Sequence, residues 1–370
     1  MEIDSFDFMV VKKAILTGGG HATRLRPITT TINKHLIPLA NKPMIFYAIE
    51  KVVEVGVREI AINVNPGETE LQKYVGDGGH WGVNIRYFEQ TGGPQGIAHV
   101  VSCARDFLGD DPFIFFLSDN IILGSLKEMA DKFTRGGYSA CLAFAEVPDP
   151  ERFGVPEFDE SGNLKRVVEK PTHPACNMAQ TGIYFYDKHF FDAFSNIKKS
   201  DRGEYEISDI NTWLLENGFK VGWEKVKSWW KDTGKPIDLI TANQLLLDQL
   251  NDADFQNNAV IEQGARIEGK VSMGHGTRVG PKVVIRGPVI IGENCVLEDC
   301  IIGPYATIGA GTEVYSAEIE HSIIFDNVDI NCPLRILDSI IGKNATIISG
   351  HQIPQGGHKM LLGDNTSIEM

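Results

Sequence analysis

Residues 259–352 carry aliphatic side chains at every sixth position, and this period limits what the chain can fold into. The series runs through Ile261, Ile267, Met273, Val279, Ile285, Ile291 and Leu297, and after a one-residue slip it resumes at Ile302, Ile308 and Val314. It restarts at Ile324, Ile330 and Ile336, and finally at Ile341 and Ile347. Small or β-branched residues often stand four places later. This pattern predicts a left-handed parallel β-helix of hexapeptide repeats, in which each short face turns one aliphatic side chain inward.

The preceding part of the chain has a different pattern. From Lys12 to about Leu247, short β-rich runs alternate with helical stretches, which is typical of a Rossmann-like, mostly parallel sheet with flanking helices. The predicted strands are KKAIL, EIAINV, NIRYF and PFIFFL, and the predicted helices run from Pro43 to Val55 and from Ile97 to Phe107. Open parallel sheets bind ligands at the carboxyl ends of their strands, so we look for a site there.

The change of pattern also predicts the domain organisation. A chain of 370 residues is longer than one hydrophobic core usually serves. We predict an α/β domain at residues 1–248, a polar linker at 249–258, the β-helix at 259–352 and a carboxyl-terminal tail at 353–370.

Charge and cysteine content restrict the partners and the compartment. The 35 basic and 49 acidic residues give a formal charge of −14, which argues against binding to nucleic acid. No segment approaches the roughly 18 to 20 uninterrupted apolar residues of a membrane span, and the acidic amino terminus does not resemble a secretory signal. The six cysteines include no Cys-x-x-Cys pair, which favours reduced thiols. We therefore expect a cytoplasmic protein that binds neither nucleic acid nor membrane.

The strongest chemical signal lies between Leu16 and Ile45. A predicted strand leads into three glycines, Gly18 to Gly20, whose backbone amides a polyphosphate can approach closely. Arg24 offers a planar fork of donors for phosphate oxygens, and Lys34 offers a compact positive charge. The segment contains neither the G-x-G-x-x-G dinucleotide pattern nor a Walker loop. It predicts a polyphosphate site that can stabilise a leaving pyrophosphate.

The whole string, GG…TRLRP…NK-x-L-I-P…NKPMI, resembles the signature of the sugar-1-phosphate nucleotidylyltransferases. Further segments follow in the order of that family: FLGDDPFIFFLSDN, VVEKP, QTGIYFYD, RGEYEISDIN and WWKDTGKPIDLITAN. With the hexapeptide half and the ending LLGDNTSIEM, the chain is most similar to the long form of the glucose-1-phosphate thymidylyltransferases. The resemblance extends along almost the whole chain.

The resemblance implies a reaction and four catalytic residues. A nucleoside monophosphate is transferred from a nucleoside triphosphate, dTTP being favoured, to a hexose-1-phosphate, glucose-1-phosphate being favoured, and pyrophosphate is released. Asp119 and Asp232 are expected to hold Mg²⁺, an ion that prefers few protein oxygens together with substrate phosphates. Arg24 and Lys34 are expected to hold the triphosphate.

The resemblance also implies two sets of binding residues. The nucleotide is assigned to Leu16, Gly18, Gly19, Gly20, Gln90 and Gly96, and the sugar phosphate to Gly154, Glu169, Lys170, Thr181 and Arg202. An amide side chain at Gln90 suits the edge of a pyrimidine. A carboxylate at Glu169 suits vicinal hydroxyls, and the lysine beside it suits the phosphate.

Two loops depart from the family pattern. The glycine loop is one residue longer than usual and has Ala22 where glycine is usual. The loop from Gln90 to Gly96 is also one residue longer. If the position of Ala22 requires a positive φ, alanine strains it. These changes leave room for a different nucleotide preference.

Other functions stay open on the sequence alone. A transferase that uses UTP or GTP shares the signature, and a catalytically weak regulatory subunit that binds nucleotide sugars would keep the fold. Hexapeptide β-helices also occur in acetyl-CoA-dependent acyltransferases, which need a positioned histidine base. His275 and His321 stand in no such context. The faces of a β-helix can pair between subunits, so we expect a homo-oligomer.

Overall fold

The computed structural model describes residues 10–251, 254–349, 357, 358 and 360–369. The chain divides into two compact units, the first formed by Met1–Gly20 with Ile45–Asp232 and the second by His21–Met44 with Thr233–Met370. The boundaries of the α/β domain, linker, β-helix and tail given above stay a prediction.

Thirteen strands and eight helices precede the repeat region within the described residues. The strands are β1 (Lys13–Thr17), β2 (Pro38–Leu39), β3 (Lys42–Pro43), β4 (Glu59–Val64), β5 (Asn84–Glu89), β6 (Phe113–Phe116), β7 (Asn120–Ile122), β8 (Ala140–Glu146), β9 (Gly154–Phe158), β10 (Leu164–Glu169), β11 (Met178–Tyr186), β12 (Val221–Lys225) and β13 (Trp230–Asp232). The helices are α1 (Met44–Glu54), α2 (Glu70–Val75), α3 (Ile97–Cys103), α4 (Arg105–Leu108), α5 (Lys127–Gly136), α6 (His189–Asn196), α7 (Ile207–Glu216) and α8 (Pro236–Gln249).

A seven-stranded sheet forms the centre of the first unit, in the order β12-β8-β11-β6-β1-β4-β5. β11 runs antiparallel to both of its neighbours, and the other pairs are parallel. All four residues of β6 are at most 1% exposed, as expected for a central strand with both faces covered. This arrangement confirms the predicted Rossmann-like, mostly parallel sheet.

The four strands predicted from composition correspond to β1, β4, β5 and β6. The helices differ slightly from prediction. α1 begins at Met44, because Pro43 is paired with Pro38 in the β2–β3 hairpin. The helix predicted from Ile97 to Phe107 is broken into α3 and α4 at Ala104, whose φ of −95° and ψ of 15° leave the helical region.

The second unit contains a parallel β-helix built from short strands. These are β14 (Val260–Ile261), β15 (Arg266–Glu268), β16 (Val271–Met273), β17 (Arg278–Val279), β18 (Val284–Arg286), β19 (Val289–Ile291), β20 (Val296–Glu298), β21 (Ile301–Ile302), β22 (Thr307–Ile308), β23 (Glu313–Tyr315), β24 (Glu318–Glu320), β25 (Ile323–Ile324), β26 (Asp329–Asn331), β27 (Arg335–Leu337), β28 (Ile340–Ile341), β29 (Thr346–Ile348), β30 (Gly357–His358), β31 (Leu361–Leu362) and β32 (Ser367–Glu369).

Every third strand joins the same parallel sheet, so equivalent residues of successive turns stack on one another. Ile285, Ile302, Ile319 and Ile336 form one such stack in register, and each is 0% exposed. These stacks confirm the left-handed β-helix that the six-residue period predicts. The strands β30, β31 and β32 continue the three sheets beyond residue 352, into the segment that the sequence analysis treats as a tail.

Segment 21–44 is attached to α8 and to the β-helix within the second unit. Asn243 of α8 is 1% exposed and links both parts. Its Oδ1 accepts a hydrogen bond from the amide of Ala40 at 2.7 Å, and its Nδ2 donates to the carbonyl of Tyr305 at 3.3 Å. One buried side chain on α8 therefore bonds to segment 21–44 and to the β-helix.

Two further hydrogen bonds join segment 21–44 directly to the β-helix. Asn41 donates from Nδ2 to the carbonyl of Ile308 at 2.7 Å. Thr31 donates from Oγ1 to Asp364 at 2.7 Å. The segment that carries Arg24 and Lys34 is thus bonded to the β-helix at two positions ten residues apart, Thr31 and Asn41.

All six cysteines have free thiols, and four of them, Cys141, Cys295, Cys300 and Cys332, are buried. Within the described ranges, no helix combines the length and the apolar character needed to cross a bilayer.

Candidate active site

The glycine loop lies at the carboxyl end of β1 and packs against the end of β4 and the residue that follows it. A Cβ on Gly18 would stand 2.7 Å from the carbonyl oxygen of Asn63, and a Cβ on Gly19 would stand 2.8 Å from the Asn63 side chain. The amide of Gly18 donates to Asn63 Oδ1 at 3.2 Å, and that of Gly20 donates to Asn65 Oδ1 at 2.8 Å. Close packing therefore requires glycine at positions 18 and 19, and the φ of 113° favours it at Gly20. Two asparagines that the sequence did not single out hold the loop.

Leu16 lies inside β1. It pairs with Ile62 on one side and Phe116 on the other, and its side chain is 0% exposed. Leu16 therefore contributes no exposed surface of its own at this edge of the sheet.

Arg24 and Lys34 occupy two 3-10 helices of segment 21–44, Thr23–Leu25 and Lys34–Leu36. Asn33 caps the second of these, because its side chain accepts a hydrogen bond from the amide of His35 at 2.9 Å. Ala22 precedes the first and adopts φ 41° and ψ 44°, which is the left-handed region. The position that usually holds glycine in the family therefore does have a positive φ here.

We expect Ala22→Gly to stabilise the protein. A residue with a Cβ in the left-handed region costs about 1 kcal/mol, and glycine removes that cost. The midpoint of thermal unfolding should rise. Ala130→Gly, in the interior of α5, should lower that midpoint, because glycine in a helix costs about 0.5–1 kcal/mol relative to alanine. A fall of the midpoint in both variants would contradict a strained Ala22.

The predicted metal ligands, Asp119 and Asp232, are brought together by a two-stranded ribbon. β7 begins directly after Asp119 and pairs antiparallel with β13, so that Asp232 stands opposite Asn120. Asn120 donates from Nδ2 to Asp119 Oδ1 at 3.0 Å. Its Oδ1 accepts from Trp230 Nε1 at 2.8 Å and from the amide of Gly182 at 3.2 Å. Asn120 therefore orients the Asp119 carboxylate, and it does so from the position in β7 that is paired with Asp232.

The chemistry of this pair suits a magnesium ion. In the described part of the chain, no group of three or more His, Cys, Asp or Glu side chains is arranged to hold a metal. Two carboxylates are a small set of hard oxygen donors, and Mg²⁺ commonly binds to one or two carboxylates while waters and substrate phosphates complete its shell. Asp119 and Asp232 would hold that ion.

A cavity of about 340 Å³ lies beside Asp232. Its lining includes the Asp149–Arg152 ion pair together with the aromatic residues Phe153 and Trp230. The rings of Phe153 and Trp230 meet edge to face at 5.6 Å between centroids. This cavity combines charged and aromatic walls next to a carboxylate, and no motif in the sequence predicted it.

The predicted sugar residues gather on the β9–β10 hairpin and the segments packed against it. Gly154 stands opposite Glu169 in the hairpin. One Glu169 oxygen accepts a hydrogen bond from Ser208 Oγ at 2.7 Å. The other lies 3.3 Å from Lys170 Nζ and 3.4 Å from Arg202 Nη1. Four of the five predicted residues thus form one cluster around a carboxylate.

Gly154 leaves space for two buried polar side chains. A Cβ at this position would stand 2.6 Å from Ser208 Oγ and 2.7 Å from Gln180 Oε1. Ser208 is 0% exposed and Gln180 is 5% exposed. Both residues belong to motifs that carry the family resemblance. Their residue types alone did not predict that they would lie beside Gly154 and Glu169.

Lys170 and Thr181 differ in their local environment. Lys170 has a φ of 42°, in the left-handed region, and its amide donates to the carbonyl of Phe153 at 2.9 Å. Such backbone strain is concentrated at functional sites. Thr181 is 0% exposed and donates its hydroxyl to the carbonyl of Ala143 at 3.0 Å. Its hydroxyl proton is therefore committed to the sheet.

Tyr184 connects the two clusters electrostatically. Burial raises the pKa of Tyr184, and the negative charges of Glu169 and Asp119 raise it further. Burial also raises the pKa of Asp209, with a second contribution from Glu169. Glu169 and Asp119 thus act on one buried phenol, which stays protonated between them.

The loop proposed to bind the base is closed by Gln90 and His99. Gln90 donates from Nε2 to the carbonyl of Gly96 at 3.2 Å, and the same nitrogen lies 2.9 Å from His99 Nδ1. Gly96 has a φ of 93°, and a Cβ there would stand 2.6 Å from the carbonyl oxygen of Tyr205. His99 belongs to this group although no motif in the sequence predicted it.

Two family models match the chain. One, described as nucleotidyl transferase, matches residues 13–249, and one described as the GMPPB C-terminal domain matches residues 285–370. The chain belongs to the nucleotidyl transferase family and is a nucleotidyltransferase.

Similar proteins agree with this assignment. The low-salt glycan biosynthesis nucleotidyltransferase Agl11 of Haloferax volcanii is 37% identical over 97% of this chain and 100% of its own length. A glucose-1-phosphate thymidylyltransferase of Streptomyces antibioticus is 34% identical over 97% of this chain and 99% of its own. A crystal structure described as a glucose-1-phosphate thymidylyltransferase from Bacillus anthracis aligns with a TM-score of 0.61 and 34% identity, covering 65% of this chain and 97% of that one.

Proposed function

We propose that the chain transfers dTMP from dTTP to glucose-1-phosphate in the presence of Mg²⁺, giving dTDP-glucose and pyrophosphate. The observation that carries the proposal is the geometry of two neighbouring clusters in one unit. Asp232 stands opposite Asn120, the residue after Asp119, at one end of the β7–β13 ribbon, and Glu169 is paired with Lys170 and Arg202. The first cluster suits a metal-bound triphosphate, and the second suits a sugar phosphate. The thymidylyltransferase relatives support dTTP and glucose-1-phosphate as the pair of substrates.

On the donor side, the reaction requires neutralisation of the triphosphate. Phosphoryl transfer depends on positioning and electrostatic stabilisation more than on covalent work by the protein. The magnesium ion, when bound, neutralises charge that develops on the phosphates. In the proposal, Arg24 binds the departing pyrophosphate, Lys34 stabilises the charge at the α-phosphate, and the amides of Gly18 to Gly20 bind phosphate oxygens.

On the acceptor side, the sugar phosphate supplies the nucleophile. One of its phosphate oxygens attacks the α-phosphorus, and the bond from that phosphorus to pyrophosphate breaks. Lys170 and Arg202 hold the acceptor phosphate, and Glu169 accepts hydrogen bonds from vicinal hydroxyls of the hexose. Since Glu169 is paired with both cations, the incoming phosphate would compete with that carboxylate for them.

A second substrate pair stays possible within the same chemistry. The relative from Haloferax volcanii is named for glycan biosynthesis rather than for dTTP. A UTP- or GTP-using enzyme that supplies an activated sugar for glycan assembly is therefore the alternative. The six free thiols are in keeping with a cytoplasmic enzyme, and we propose a homo-oligomer, which light scattering can test.

Pyrophosphate release on a grid of substrates tests the proposal. The triphosphates are dTTP, UTP, GTP, ATP and CTP, and the acceptors are the 1-phosphates of glucose, galactose and mannose. We expect the highest kcat/KM with dTTP and glucose-1-phosphate, and loss of turnover when EDTA removes magnesium. A different best pair would keep the chemistry and reassign the base or sugar. No turnover with any pair would favour a regulatory subunit.

A further inference from the structure

The orientation of the Gln90 amide is determined by its neighbours. The carbonyl oxygen of Gly96 can only accept a hydrogen bond, so the amide group at 3.2 Å must be the nitrogen. That nitrogen carries only protons, so the His99 Nδ1 at 2.9 Å must be the acceptor. His99 is therefore neutral, with its proton on Nε2.

The surroundings of His99 keep it in this state. Its ring stacks on Tyr205 with centroids 6.1 Å apart and lies 6.3 Å from the ring of Phe194. Burial lowers the pKa of His99, and the positive charge of Lys199 lowers it further. Cys103 Sγ lies 3.8 Å from both ring nitrogens. The imidazole is thus held in place by aromatic packing and stays an acceptor at neutral pH.

Both protons of the Gln90 amide are used by Gly96 and His99, which leaves its oxygen to meet a ligand. Among the described residues, none donates a hydrogen bond to Gln90 Oε1, and the residue is only half-buried. We propose that His99 is a positioning residue that holds Gln90 with its oxygen toward the base. Gln90 then selects nucleotides whose base carries a ring N–H at the recognised edge. This inference rests on the proposed function.

The chemical class of the nucleotide follows from that acceptor. Thymine and uracil carry a proton on N3, and guanine carries one on N1. Cytosine N3 and adenine N1 are acceptors, so they would face the Gln90 oxygen without a proton between them. A site built to receive an N–H rejects an analogue that lacks it, because polar groups are left unpaired. The selected class is therefore dTTP, UTP and GTP, and the rejected class is CTP and ATP.

The variant His99→Phe isolates the hydrogen bond from the packing, because phenylalanine keeps an aromatic ring against the Tyr205–Phe194 pair but has no acceptor. In this variant the side-chain amide of Gln90 can flip, so that its oxygen and nitrogen exchange places. We expect the ratio of kcat/KM for dTTP to that for dCTP to fall about tenfold, as for a polar pair lost at a site. The KM for glucose-1-phosphate should stay within about twofold of the wild-type value, or about 0.4 kcal/mol, because among the described residues His99 contacts none of those assigned to the sugar phosphate.

Two further variants serve as controls. His99→Gln supplies a side-chain oxygen that can accept from Gln90, so it should restore most of the selectivity. Cys103→Ala removes the 3.8 Å contact with the ring without touching Gln90, so it should leave the ratio unchanged. Should His99→Phe fail to fold, the comparison of His99→Gln with His99→Ala gives the same test, read as thermal shifts with dTDP and dCDP.

Each outcome decides the inference. An active His99→Phe enzyme with the wild-type ratio overturns it, and so does a wild-type enzyme that prefers CTP or ATP. That second result leaves nucleotidyl transfer intact. A wild-type enzyme with no turnover on the whole substrate grid overturns the proposed function instead, and this is seen before any variant is made.

Discussion

Asp119→Asn and Asp232→Asn are each expected to lower kcat by about a thousandfold, since a metal ion contributes several kcal/mol of charge stabilisation in such a transition state. Both residues stand at the same end of the β7–β13 ribbon, so each supplies one half of the carboxylate pair. An amide keeps the size of the side chain and most of its hydrogen bonds but removes the charge. Steady-state kinetics with a titration of Mg²⁺ would measure the loss.

The matched control is Asp110→Asn. Asp110 is exposed, lies nine positions before Asp119 and makes only a surface ion pair with Arg105 at 3.2 Å in the described structure. Such pairs contribute about 0–1 kcal/mol, so kcat should be unchanged. Full activity in Asp119→Asn, together with a wild-type dependence on magnesium, would show that the ion is held elsewhere.

Gly154→Ala is expected to raise the KM for glucose-1-phosphate about tenfold or more, because overpacking costs about 1–3 kcal/mol. The added methyl would stand 2.6 Å from Ser208 Oγ and 2.7 Å from Gln180 Oε1. Ser208 must then move away from Glu169, which loses the hydrogen bond that orients it. The KM for dTTP should change little, so initial rates with each substrate varied in turn measure the effect.

Gly79→Ala is the control for this second variant. Gly79 is exposed, and an added Cβ would meet only the flexible side chain of Asp77, at 3.2 Å. Both KM values should stay at their wild-type levels. An equal rise of both KM values in Gly154→Ala would instead indicate a general loss of structure and would contradict a specific sugar pocket.

The sequence predicted the architecture because both halves depend on local periodicity. A six-residue period determines which side chains face the axis of a coil, so Ile285 and Ile302 could be placed in its core before any contact was known. Continuous apolar runs such as Phe113–Phe116 predicted buried strands for the same reason. Helix ends depend on single backbone angles instead. The break at Ala104 therefore had no signal in the apolar pattern.

The residues that support the candidate site could not be predicted, because long-range pairing brings them there. Asn120 reaches Trp230 across 110 positions through the β7–β13 ribbon. Ser208 lies 39 positions from Glu169 and touches it only after α7 packs on β10. The motif supplied the charged residues, since their type indicates their chemistry. It gave no sign of neutral partners such as His99, whose role depends on one ring nitrogen.

The hydrogen bonds of segment 21–44 bear on how such a chain can be shortened or recombined. The bonding partners of Asn41 and Thr31 are Ile308 and Asp364, which lie more than 250 positions further along the chain. A chain ending after α8 would keep every motif of the catalytic half, yet leave these groups without their partners. Exchange of the hexapeptide half between relatives would likewise have to carry compatible residues at positions 31 and 41. The two regions must therefore vary together, so a junction placed at the change of sequence period cuts through a folding unit.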